Sequence, residues 1–183
     1  MYGMIHRAVR QMVLEGAGKE TWADIEAAAR IGQSELISAE VYDDSVTSNL
    51  IECAARCVGV EVDQFMIEFG QYWIAYAELG SFGPILHFTG EDIATFLRNL
   101  DRLHESVQIV MPDARMPSFK VLSEEPGALV VAYHSHRSGL EPFVEGLLMG
   151  LLIRFNLVGT VSPMTSEGAR ATFRLVFESR SHP

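Results

Sequence analysis

Cysteine is scarce in this chain, with only Cys53 and Cys57 among 183 residues. Four apart on a predicted helix, they supply at most half of a tetrahedral zinc site, and both are expected as buried core thiols. Positive charge is short as well. Lys plus Arg number 14 against 24 Asp plus Glu, a formal charge of −10. That balance argues against a surface that tracks nucleic-acid phosphates, and it disfavours an anionic membrane. Long hydrophobic runs are missing too. No window approaches the roughly 18 apolar residues needed to span a bilayer, and "MYGMIHRAVRQMV" lacks the continuous apolar core and cleavage site of a signal peptide. A cytoplasmic location is therefore expected. The chain ends soon after its last predicted strand, at "ESRSHP", so no further catalytic domain is expected in it.

What is present is an apolar content of 48%, enough to fill the core of one compact domain or of two small lobes sharing a core. The first two thirds read as helices. Met4, Ile5, Ala8, Val9, Met12 and Val13 make one face of a first helix that stops at Gly16 and Gly18. "TWAD" at Thr21–Asp24 resembles a capping box for a second helix running to about Arg30. A third helix runs from about Val46 to Val58 and is closed by Gly59. A fourth carries Val62, Phe65, Met66, Phe69, Trp73 and Tyr76. "SFGPILHFTG" reads as a loop, and a fifth helix follows from about Glu91 to Val110.

At Pro112 and Pro117 the periodicity changes from 3.6 to 2. Phe119–Ser123 and Leu129–Ser135 read as strands joined by a turn at Glu125–Gly127. Pro142 opens another helix with Phe143, Leu147, Leu148, Leu151 and Phe155 on its apolar face. The tail alternates again, Phe173, Leu175 and Phe177 opposing Arg174, Val176 and Glu178. The expected class is α+β: a helical N-terminal lobe of about residues 1–60, and a lobe of about 61–183 with helices and an antiparallel sheet.

Two local patterns carry chemistry. In "NLDRLHESV" the apolar stripe Ile93, Phe96, Leu97, Leu100, Leu103 runs on to His104, an imidazole where a helix usually buries a leucine. In "AYHSHRSGL", strand alternation puts Tyr133, Ser135 and Arg137 on one face, a row of donors suited to carboxylates, and His134 and His136 on the other. Taken singly, each has a plainer reading, a core histidine or a solvated strand face. Together they suit a planar cofactor that needs one axial ligand and one polar clamp for two carboxylates, and haem fits that description.

These motifs, with "MYGMIHRAVRQMV", "FGQYW" at Phe69–Trp73, "FLRNLDRLH" at Phe96–His104 and "MPSF" at Met116–Phe119, resemble the haem nitric oxide/oxygen binding (H-NOX) domain in order and over nearly the whole chain. The resemblance implies one domain over 1–183 with haem b, ferrous iron protoporphyrin IX, between the lobes. It makes His104 the proximal iron ligand and Tyr133, Ser135 and Arg137 the propionate clamp. Pro117 corresponds to a proline that presses on the porphyrin, and Ile5 to a residue packing on its distal side.

The distal lining implied by the same resemblance is Val9, Trp73 and Phe143. Oxygen-binding members place a tyrosine where Phe143 stands, so the implied function is a nitric oxide sensor in which gas binding releases His104. The expected output is a change in a separate partner, a sensor histidine kinase or a cyclic-di-GMP enzyme, with no catalysis by this chain. Oxygen sensing in the same fold is the alternative. A haem enzyme, peroxidase or nitric oxide scavenger, would need a distal acid or base, and the helical stripe puts His6 beside, not on, the face of Ile5 and Val9.

Overall fold

The computed structural model describes residues 1–165 and 168–180. It divides into two compact units, Met1–Phe69 and Gly70–Pro183. No described helix is long and apolar enough to cross a membrane.

The first unit holds α1 (Gly3–Gly16), α2 (Gly18–Ala29), a 3-10 turn at Gln33–Leu36, α3 (Asp44–Val58) and the beginning of α4 (Val62–Leu79). Here one sequence expectation is corrected. Thr21 does not cap a helix; it lies inside α2 and donates to the Ala17 carbonyl at 2.9 Å. Gly18, at φ +88°, lets the chain pass from α1 into α2 across Ala17 alone, so α2 starts a turn earlier than the capping motif suggests. The start of α3 is capped as expected of an acidic residue there, Asp43 accepting from the Ser45 N–H at 2.8 Å, and Gly59 closes its other end.

Val9, Val13, Trp22, Ile25 and Leu50 are all at most 4% exposed and form the centre of this unit. Cys53 is buried among them, with the Arg56 guanidinium 3.1 Å from its sulfur. Cys57 is only partly buried, against expectation, because it stands in the last turn of α3, near the open end of the helix.

His6 is fully buried. Its Nδ1 donates to the Glu35 carbonyl at 2.7 Å, and its Nε2 accepts from the Thr47 hydroxyl at 2.8 Å, a pairing that requires the neutral ring. It thereby ties α1 to the 3-10 turn and to α3. Burial pushes its pKa below the ordinary 6.5. The unfolded chain thus takes up this proton at a higher pH than the folded one. The contribution of His6 to stability is complete above pH 6.5 and declines as the pH falls below it. Thermal melts from pH 7.5 to 5.5 should show the midpoint dropping, with a shallower drop in His6→Gln. An equal slope in the two proteins would count against it.

In the second unit four antiparallel strands, β1 (Ser118–Glu125), β2 (Ala128–His134), β3 (Leu157–Met164) and β4 (Ala171–Ser179), take the order β1-β2-β4-β3. Their register places Val121, Val131 and Phe173 side by side, and Leu129, Leu175 and Val161 in the next row. Those rows form a core with Phe96, Leu97, Leu103 and Val107 of α6 (Ile93–Val110) and Val144, Leu148, Leu151 and Leu152 of α7 (Glu141–Arg154). Each of these inward side chains contributes about 1.5–3 kcal/mol by leaving water.

The tail alternation read from sequence is β4. Its partner β3 escaped notice because Gly159 and Pro163 dilute the strand pattern. Both are tolerated at a sheet edge, and a Cβ on Gly159 would meet the Val176 carbonyl at 2.1 Å. A second correction concerns "SFGPILHFTG": Gly83–Thr89 is a short helix, α5, because proline is compatible with a first helical turn.

Helix α7 is apolar nearly all round, the pattern of a helix surrounded by protein. Part of its contact is with the second half of α4. A Cβ on Gly70 would lie 2.2 Å from the Phe143 carbonyl, and one on Gly150 2.9 Å from Ile74, so glycines on both helices permit a close backbone crossing. At its far end Arg154 donates to Glu78 at 3.1 Å and to the Leu86 carbonyl at 3.2 Å, and its guanidinium stands 5.2 Å from the centre of the Phe96 ring. It thereby joins α4, α5, α6 and α7.

Candidate functional site

The helix carrying His104 begins where Asp92 accepts the Thr95 N–H at 2.8 Å and continues for eighteen residues. Of the predicted stripe, Ile93, Phe96, Leu97 and Leu103 are buried and Leu100 is partly buried, and Val107 extends the buried face. His104 lies at the margin of that stripe, partly buried.

Its Nδ1 is 2.9 Å from the Pro117 carbonyl. A carbonyl only accepts, so the proton sits on Nδ1, and Nε2 keeps its lone pair. Burial is the largest influence on the ring and lowers its pKa, favouring the neutral form that a metal ligand requires. Pro117 therefore has a role that sequence did not show: its carbonyl orients His104.

A further residue was missed. Asp101, one turn before His104 on α6, accepts the Phe119 N–H at 2.8 Å and the Ser118 hydroxyl. With His104–Pro117 it fastens α6 to the entry of β1 at adjacent points. The signal was available as an acidic residue three positions before the histidine, the spacing of neighbours on one helix face.

Tyr133, Ser135 and Arg137 do come together, although not as a strand row. Strand β2 ends at His134, so alternation cannot extend to Ser135 and Arg137. Instead the Ser135 hydroxyl accepts the Arg137 backbone N–H at 3.0 Å and hydrogen-bonds the Tyr133 phenol, a local turn that gathers the three side chains. Tyr133 is buried, and burial raises its pKa, so the phenol stays protonated. Its ring centre is 5.4 Å from Phe119, which in turn lies 6.2 Å from the His104 ring. The Arg137 guanidinium donates to the Arg115 carbonyl at 2.9 Å.

Of the distal candidates, Phe143 lies in the first turn of α7, and Trp73 stands one turn beyond Gly70 on α4. The glycine crossing brings these two helix segments together. Val9 is buried and Ile5 partly buried on α1. Both ring nitrogens of the buried His6 are occupied, which leaves it unsuited to proton transfer.

A neutral imidazole with a bare nitrogen and a phenol, hydroxyl and guanidinium gathered on the aromatic contact leading from it are the donor types that haem calls for. The residues present fit that group.

Comparison with known proteins gives the same direction. Residues 2–162 match the haem-NO-binding family, HNOB. Soluble guanylate cyclase gcy-35 of Caenorhabditis elegans is 29% identical over 153 residues, which cover 81% of this chain and 22% of the cyclase. Soluble guanylate cyclase gcy-33 of the same organism is 24% identical over 151 residues, 82% of this chain and 16% of its own. The chain thus spans about a fifth of the length of the curated relatives it matches.

Among solved structures, an H-NOX protein from S. oneidensis in the Fe(II) state superposes with a TM-score of 0.84 at 19% identity, over 98% of this chain and 97% of that one. The unliganded Fe(II) H-NOX protein from K. algicida gives 0.79 at 20% identity, over 100% and 98%. At such identities the likeness establishes the fold, and the family match spans most of the sequence. The chain belongs to the haem-NO-binding family and has the α+β fold of the H-NOX sensor domains.

Proposed function

We propose that this chain holds ferrous haem b through His104 and senses nitric oxide, passing the signal to a separate protein. The observation that carries the reading is the bond from His104 Nδ1 to the Pro117 carbonyl, which leaves Nε2 as the ligating atom. A carbonyl bonded to the other ring nitrogen fixes the tautomer of a metal-ligating histidine and raises its basicity. Bound ferrous haem supplies an iron that takes up a diatomic gas.

The chain's own residues supply the rest. Tyr133, Ser135 and Arg137 would bind the propionates, and Pro117 would pack on the ring. Trp73 and Phe143 would line the gas side. Phenylalanine at 143 offers no hydrogen bond to the gas, which disfavours oxygen more than nitric oxide. Loss of the bond between His104 and the haem would free α6 from that group, while Asp101 and the Pro117 carbonyl would still join α6 to β1. That change is what a separate histidine kinase or cyclic-di-GMP enzyme would read.

The test is the absorption spectrum of the reduced, haem-loaded protein, first in air and then with nitric oxide. It should be unchanged in air and should shift with nitric oxide to the spectrum of haem without an axial histidine. A stable change in air would replace nitric oxide with oxygen as the ligand and would point to Trp73 as the donor.

The clamp has its own test. Arg137→Ala leaves a propionate without its charged partner, a loss of about 1.5–3 kcal/mol, or roughly 10- to 150-fold in affinity. Haem should pass faster to a haem scavenger from Arg137→Ala and at the wild-type rate from His136→Ala. The reverse order would show that the two residues have been assigned to the wrong faces.

A further inference from the structure

The end of the sheet forms a cleft of about 640 Å³ that shares only Ser135 with the Tyr133–Ser135–Arg137 cluster. His134, His136 and Arg170 line it, with Ser118, Ser135 and the Gly168–Ala169 backbone. Among the described residues that line it there is no carboxylate. Two nearby carboxylates are engaged at its margins. Asp101 takes the Ser118 hydroxyl and the Phe119 N–H, and Glu141 lies 3.7 Å from Arg170 Nε. The 3.7 Å spacing is long for a charge-assisted hydrogen bond, and it involves one of five guanidinium N–H groups.

We propose that this cleft binds a small phosphate-bearing anion while haem is in place. The side chains of His134, His136 and Arg170 are exposed and line the same cleft, from the end of β2, the turn after it and the segment preceding β4, and they are donor types suited to phosphoryl oxygens. The cleft is largely open to solvent and wider than a bare inorganic ion, so a small anion can enter it directly. A metal ion suits it less well. Among the described residues no group of three His, Cys, Asp or Glu is assembled to hold one, and an arginine in the wall repels a cation. The cleft adjoins the Tyr133–Ser135–Arg137 cluster, the Arg170 N–H donating to the Tyr133 carbonyl at 2.9 Å, but its lining shares only Ser135 with that cluster, and the Arg137 guanidinium is drawn to the Arg115 carbonyl.

Calorimetric titration of the haem-loaded protein with pyrophosphate, and in parallel with inorganic phosphate, tests the site at constant ionic strength. Pyrophosphate should bind saturably with Kd about 1 mM or tighter, and more tightly than phosphate. Arg170→Ala and the double variant His134→Ala/His136→Ala should each weaken it about tenfold or more. His87→Ala, exposed on α5 and outside the cleft, should leave it unchanged. Each variant is also assayed for haem transfer to a scavenger. The proposal is overturned if pyrophosphate does not saturate, or if Arg170→Ala binds it as well as wild type. It is equally overturned if the cleft variants lose haem as fast as Arg137→Ala, because the cleft would then belong to the propionate clamp.

Discussion

His104→Gly should purify with little haem, and free imidazole supplied during expression should restore it. A second-shell partner is typically worth about 10- to 100-fold in metal affinity, and His104 is assigned as the ligand itself, so its removal should exceed that range. The substitution leaves the rest of the stripe in place, since His104 is only partly buried and Leu103 and Val107 hold α6 against the sheet. Far-ultraviolet circular dichroism of the haem-free variant should therefore remain helical. Full haem content and an unchanged ferrous spectrum would remove His104 from the site. Rescue by imidazole separates loss of a ligand from loss of the fold, because a collapsed protein would not be restored by a small molecule.

Phe143→Tyr should give the haem-loaded protein an oxygen affinity it otherwise lacks. The change adds one hydroxyl at nearly constant ring volume, and Phe143 is partly buried in the first turn of α7, so packing is largely conserved. A hydrogen bond to a partly charged oxygen contributes about 1–3 kcal/mol, roughly 5- to 150-fold in affinity. Nitric oxide affinity should change far less. Equilibration of the reduced variant with graded oxygen, read by absorption, measures the effect. If wild type excludes oxygen and the variant gains none, position 143 does not face the gas, and the distal assignment to α7 fails while His104 and the clamp are untouched.

All the helices but α5, the α+β class and most of the face that α6 buries were legible in the sequence because each rests on local periodicity. Leu97, Leu103 and Val107 recur at helical spacing whatever they pack against, and Phe173 and Leu175 alternate whatever strand lies beside them. His104 stood out for the same reason, as a polar group against an apolar pattern. Its role as an iron ligand came from resemblance, and periodicity alone supplied an odd histidine.

Tertiary structure decided what depends on partners distant in sequence. The choice of tautomer at His104 is made by a carbonyl thirteen residues away, and the occupation of both nitrogens of His6 by Glu35 and Thr47. Strand β3 exists because β4 offers it a ladder, despite Gly159 and Pro163. The grouping of Tyr133, Ser135 and Arg137 shows both sides. Its members were visible in the sequence by spacing, yet the strand expected to align them ends at His134, and a hydroxyl-to-backbone turn gathers them instead. Side-chain alternation is a property of an extended backbone, so it could indicate which residues meet only as far as the backbone stayed extended. Beyond that residue the hydrogen bonds of the turn set the geometry.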